Sequence, residues 1–186
     1  MTAGLIVLLF ASSLVQAPAS TAPAAQDNPL GAPGCGPTDI HFDVKTKGKQ
    51  ATNPVPEAGK AVIVFLQDDA YFGSRPRPTT RFGVDGTWVG ATHSNSYFFV
   101  SIDPGEHHLC ANWQSRVVLA PTRSTAAAHF TAEAGRTYYY CARDIAITDQ
   151  NRAIVAEPEI KFVPLDEDEG KVLMRAFALS QSHPKK

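Results

Sequence analysis

The stretch Arg81-Phe-Gly-Val-Asp-Gly-Thr-Trp-Val-Gly90 decides how this chain is read. Asp85-Gly86 lies between two apolar runs, and an Asp-Gly pair tolerates the two positive φ angles of a type I′ hairpin. Residues across a two-residue turn share a face. Val84 therefore faces Thr87 and Phe82 faces Val89, which builds an apolar side. Trp88 goes to the opposite face beside Gly83, where a missing side chain leaves room for the indole.

Strand signals continue on both sides of this hairpin. Upstream, Ile40, Phe42 and Val44 alternate with polar residues, the period of a half-buried strand. Residues 47–60 read as a loop. AVIVFL (61–66) is apolar on both faces, as a strand covered on both sides requires. Residues 67–80, with Asp68-Asp69, Gly73 and Arg75-Pro76-Arg77-Pro78, read as a long polar connection. Downstream, Tyr97–Ile102 is a strand, and Asp103-Pro104-Gly105-Glu106 has the type II turn pattern. The chain returns along His107–Trp113, and Arg116–Leu119 extends the sheet. The alanines of 126–132 also suit a helix. The turn at Gly135 and the strand Thr137–Tyr140 favour a hairpin there. A further strand pair is expected within 144–163. Asp166-Glu167-Asp168-Glu169 supplies an N-cap and an acidic first turn for one helix, with Val172, Leu173 and Phe177 as its apolar face. The acidic run lacks the ligand spacing and central glycine of a calcium loop. About eight or nine short strands at these turn spacings predict a mainly β fold. The expected form is an antiparallel β-sandwich of immunoglobulin-like or transthyretin-like type with one short C-terminal helix.

Composition narrows the function classes. The 186 residues carry 17 Lys+Arg against 18 Asp+Glu, a formal net charge of −1, and 44% are hydrophobic. This balance excludes a generally basic nucleic-acid binder and an acidic disordered chain. Residues 5–10, LIVLLF, begin an apolar run too short for the roughly 20 residues of a spanning helix. It reads as a signal-peptide core ending near residue 17, with a cut as late as 25 as the alternative. The run carries no Lys or Arg, and the first is Lys45. Cys35 lies too far downstream for a lipoprotein box. Residues 18–34, rich in Pro and Ala, read as a disordered tether. A single domain is expected over 35–180, followed by a flexible tail at 181–186.

No catalytic, cofactor or metal set is expected. Adjacent strand residues point to opposite faces, so His107 and His108 cannot chelate one ion side by side. Either could join Cys110 or His129 in a zinc-like set, but no recognised ligand spacing supports this. A cross-strand polar contact is the simpler reading. No G-x-S-x-G elbow and no phosphate-binding loop occurs. Arg75, Arg77 and Arg81 form a small basic group that suits a solvated loop. Tyr138–Tyr140 and Trp88 would be binding-patch candidates if outward, and core if not. Three cysteines in an exported chain imply one disulfide and one thiol left over. Cys35–Cys110 and Cys110–Cys141 are both open on the residues alone.

VDGTWVG (84–90), SYFFVSIDPGEHHL (96–109) and EAGRTYYY (133–140) resemble the bacterial family called domain of unknown function 2846. The turn chemistry is also similar to that of PEGA-type surface modules. Each shared motif has a structural role: Asp85-Gly86, Pro104-Gly105 and Gly135 make turns. The resemblance implies an exported, envelope-associated β-rich domain and no catalytic residues. CGP (35–37) and HHLCANW (107–113) look like features of that family, which favours Cys35–Cys110, with Cys141 a buried thiol. Closing that loop would contribute roughly 4 kcal/mol. The expectation is a periplasmic or secreted, non-enzymatic binding or structural module whose partner is an envelope protein or glycan. The alternatives are a secreted hydrolase and a periplasmic metal-binding protein.

Overall fold

The computed structural model describes residues 31–48, 52–114 and 123–186. The leader expected over 1–17, residues 18–30 of the tether expected over 18–34, and the strand expected at Arg116–Leu119 lie outside the described residues, while the tether's last residue, Gly34, is buried against Leu109 rather than disordered. Among the described residues the fold is mainly β, with two sheets and one short helix. The first strands are β1 (Phe42–Lys47), β2 (Ala61–Phe72), β3 (Thr79–Val84), β4 (Thr87–His93) and β5 (Ser96–Ile102). They are followed by β6 (Gly105–Trp113), β7 (Thr125–Ala132), β8 (Thr137–Ala146) and β9 (Glu159–Leu165). Helix α1 (Glu167–Ala176) and strand β10 (Ala178–Pro184) complete the chain. One sheet runs β1-β10-β5-β2-β8-β9 and the other β4-β3-β6-β7.

The first sheet is mixed, which corrects the expectation of a wholly antiparallel sandwich. β2 lies parallel to β8, and β10 lies parallel to β5 over Ala178 and Leu179. Neither pair is joined by a hairpin. β8 arrives from β7 of the other sheet and β10 from α1, so no tight turn dictates their direction.

The sheets meet over a core built from alternate residues of both. Phe65 of β2 has its ring 5.0 Å from Phe82 of β3 and 5.4 Å from Phe98 of β5. Leu109, Ala111 and Trp113 of β6 complete the facing layer. The other side of β2 is also buried. Val62, Val64 and Leu66 pack with Tyr139 and Cys141 beneath Met174 and Phe177. This is the double burial that the unbroken run 61–66 requires.

Several local expectations change. β2 continues through Asp68-Asp69 to Phe72, with a register shift between Asp68 and Tyr71. The polar connection is therefore confined to 73–78. Asp69 lies inside, in an ion pair with Arg77, which is how a charged pair of residues fits within a strand. The 81–90 hairpin turns as read, with φ of 49° at Asp85 and 82° at Gly86. Its register shifts after Gly83↔Trp88, so Phe82 pairs with Gly90 rather than Val89. The glycine gives way to the Phe98 ring, which lies 2.7 Å from where a Gly90 Cβ would be. In α1, Val172 is 58% exposed, and Gly170, Met174 and Phe177 face the sheet. Gly170 and Met174 are four apart on one helical stripe that Val172 misses, and Phe177 is the extended C-cap that follows.

The expected flexible tail is instead strand: Gln181 to Pro184 pair with Lys45 to Phe42 of β1. Ser180 Oγ donates to the Ala91 carbonyl (2.8 Å), and the Ala91 N–H donates to Ser182 Oγ (2.9 Å). These serines take up the Ala91 N–H and carbonyl on the outer edge of β4 from the neighbouring sheet. An edge strand left bare would be an aggregation template.

Candidate functional site

The disulfide and the hairpin belong to one structural assembly. Cys35 is bridged to Cys110, with the Cα atoms 5.0 Å apart, and Cys141 is a free, buried thiol. Burial pushes the Cys141 thiol up to about 12, so it stays protonated and unreactive. The bridge fastens residues 34–40 as a strap across the outer face of the four-stranded sheet. Trp88 Nε1 donates to the Pro37 carbonyl (2.7 Å). Arg81 donates to Asn112 Oδ1 (2.8 Å) and to the carbonyls of Thr38 and Ile40. Its guanidinium carbon stands 4.3 Å from the Trp88 ring centre, a cation–π contact. Gly83 leaves room less for the indole than for the strap: a Cβ there would lie 2.3 Å from the Gly34 carbonyl oxygen. Trp88, 8% exposed, is therefore a structural residue and not a surface patch.

The other singled-out groups do not converge. Arg81 is buried under the strap, Arg77 pairs with Asp69, and Arg75 is exposed, so the three arginines share no anion site. Gly135 has a φ of 79°, and Gly105, which opens β6, has a φ of 134°, away from the roughly 80° of a type II turn. Cys110 is committed to the bridge, so it cannot join a thiolate metal set. His107 bonds to Asp85 and to the Asp103 carbonyl, while His108 sits opposite His129 across β6 and β7, ring centres 6.5 Å apart. Among the described residues, no group of three or more His, Cys, Asp or Glu side chains is placed to hold a metal ion.

Sequence reading missed a buried polar network between the sheets. Asp144 of β8 is fully buried and accepts from Trp113 Nε1 (2.8 Å) and Gln67 Nε2 (2.5 Å). Gln67 Oε1 accepts from Thr92 Oγ1 (2.7 Å). Burial pushes the Asp144 carboxyl up to about 7, against the pull of its two donors. Gln67 lies within β2, not in the polar connection expected over 67–80. Period-two patterning does not say that the partners of Gln67 and Asp144 come from the facing sheet.

A concave feature lies where β8 begins and β9 hands over to α1. A cavity of about 450 Å³ is lined by Gly135–Tyr140 on one side and Pro164–Glu167 on the other. β8 and β9 set its walls, with Tyr139 opposite Leu165 and Tyr140 opposite Pro164. The Gly135 N–H bonds the Lys60 carbonyl (2.8 Å), and the Val62 N–H bonds the Arg136 carbonyl (3.0 Å). These bonds hang the entry of β8 from the start of β2. Asp166 caps α1 by accepting from the Glu169 N–H (2.8 Å), which fixes the rim. Gly170 lets the helix come down onto the Tyr139 ring, where a Cβ would lie 2.4 Å from it.

Of the three tyrosines, Tyr139 and Tyr140 are each 5% exposed and chiefly fill the core. Burial raises both phenols above the usual range. Tyr138 is half-buried, its hydroxyl accepting from the Glu133 N–H (2.9 Å) and its ring 4.8 Å from Phe130. Arg136 and Glu167 stand exposed at the rim. Arg136, Asp166 and Glu167 thus line the groove as exposed charges, with Glu167 paired to Lys171 of α1. No family model, no curated protein and no solved structure matches this chain.

Proposed function

We propose that this chain is an exported, non-catalytic binding module that takes a sugar-sized polar ligand, such as an envelope glycan, in the tyrosine groove. The observation that carries this reading is the groove itself. Its volume of about 450 Å³ falls in the usual range for small-molecule sites. The half-buried Tyr138, lining the groove beside hydrogen-bonding and charged groups, suits a ligand that has both apolar faces and hydroxyls. A concave site of this size fits such a ligand better than the broad flat patch of a protein interface.

Export is supported by the apolar run at 5–10 and by the Cys35–Cys110 disulfide, which persists in oxidising compartments. No helix among the described residues is long and apolar enough to cross a membrane. The resemblance of 84–140 to domain of unknown function 2846 supports an envelope setting. The two stacked sheets support reading the fold as a sandwich of immunoglobulin or transthyretin kind, with its two parallel pairs as a departure.

The test is titration of the purified chain with soluble cell-wall oligosaccharides, beside Arg136→Ala and Glu167→Gln, which alter the rim without touching the core. Saturable binding that weakens in both variants supports the reading. Binding that is unchanged in both, or no binding at all, removes it.

A further inference from the structure

His107 ends the inner row of β6, above Phe130 of β7, with ring centres 6.0 Å apart. Its side chain is only 12% exposed. Nδ1 lies 2.6 Å from Asp85 Oδ2, in the turn between β3 and β4. Nε2 lies 2.8 Å from the carbonyl oxygen of Asp103, in the turn between β5 and β6. A carbonyl oxygen has no proton to give. The Asp85 carboxylate is engaged as an acceptor on its other oxygen, which takes the His108 N–H at 2.8 Å. Both ring nitrogens therefore face acceptors. A neutral imidazole has one N–H and one lone pair, so it can make only one of these two bonds.

We propose that His107 is a protonation-controlled latch: as imidazolium it ties the β3–β4 turn to the β5–β6 turn, and as imidazole it lets the second go. On deprotonation the proton leaves to solvent. The remaining N–H stays with Asp85, and the Nε2 lone pair is left against the Asp103 carbonyl oxygen. That repulsion falls on the residues that lead into β6.

The charged groups around the ring favour the cation. Asp85 faces it from one turn. Asp103 faces it from the other, with its own carboxylate 2.6 Å from Lys60 Nζ at the start of β2. From β7 the packed side chain is Phe130, which carries no charge. Burial works against the cation, but the Asp85 hydrogen bond, the Asp103 carbonyl and the two carboxylates outweigh it, and the His107 pKa is raised. A raised pKa fixes the sign. The latch is fully closed below the pKa of a free imidazole and opens as pH rises through the higher folded value. The latch does not require the groove to bind anything, although Phe130 also packs on Tyr138 of that groove.

The experiment is an NMR titration of the imidazole nitrogens in the full, disulfide-bonded chain. Both His107 nitrogens should be protonated at pH 6, with a titration midpoint above the ~6.5 of a free imidazole. Asp85→Asn, which removes the facing charge, should weaken proton binding at His107 by about tenfold or more. A lone-pair nitrogen on His107 at pH 6, or a midpoint at or below ~6.5, would overturn the latch. So would a midpoint that Asp85→Asn leaves unmoved. Asp85 also shapes its turn, so the wild-type titration decides alone if that variant does not fold.

Discussion

Asp144 shows how one side chain sets a pH dependence. Its folded pKa of about 7 stands well above the 3.8 of a free carboxyl. The folded state therefore holds this proton more tightly than the unfolded chain does. The stability linked to Asp144 is fully present below about 3.8 and is lost as pH rises through about 7. Asp144→Asn removes that loss. Urea denaturation should show the stability difference moving in favour of the variant by roughly 2–3 kcal/mol between pH 5 and pH 8.5. A difference that stays constant across that range would show that the carboxylate carries no burial penalty. Comparing variant with wild type cancels the contribution of His107. Gly83 is a steric case. Gly83→Ala drives a Cβ into the Gly34 carbonyl of a strap fixed by a disulfide, and should cost about 2–3 kcal/mol. Gly48→Ala, with open space around its Cβ, should be close to neutral in the same denaturation assay. The sequence made Gly83 stand out beside Trp88. It could not show that a backbone segment from 49 residues upstream occupies the space.

Elements were legible where local chemistry decides them. Asp85-Gly86 with its two positive φ angles, the unbroken apolar run of β2 and the acidic N-cap of α1 each act within a few residues. Elements that depend on a distant partner were not. Residues 178–184, Ala-Leu-Ser-Gln-Ser-His-Pro, contain no β-branched residue, and their strand exists because β1 and the edge of β4 supply partners. Deleting 181–186 tests this difference. A flexible tail would be lost without effect. A paired strand should lower Tm by about 5 °C or more in a thermal melt, because the deletion removes four rungs of the β1 ladder and the Ser182 bond to Ala91. The same principle explains the Asp68-Asp69 misreading, where Arg77 and the Asn95 side chain accommodate Asp69 inside.

At the scale of the molecule, alternation and turn spacing were enough for a mainly β, two-layer fold with one helix. They were not enough for strand direction, because parallel pairs join segments that no local turn connects. The tyrosine groove was half-visible. Tyr138–Tyr140 stood out as aromatics, but the concavity arises only when β8, β9 and the head of α1 assemble. The strap is the global tie. Replacing Cys35 and Cys110 by serine should cost roughly 4 kcal/mol, read by denaturation of the oxidised chain beside the variant. The central claim, that the groove is the binding site, is tested most directly by mapping amide chemical-shift changes as soluble cell-wall oligosaccharides are added. The account predicts saturable shifts concentrated at Gly135–Thr137 and Asp166–Glu167. Saturable shifts centred elsewhere, or none at all, would contradict it.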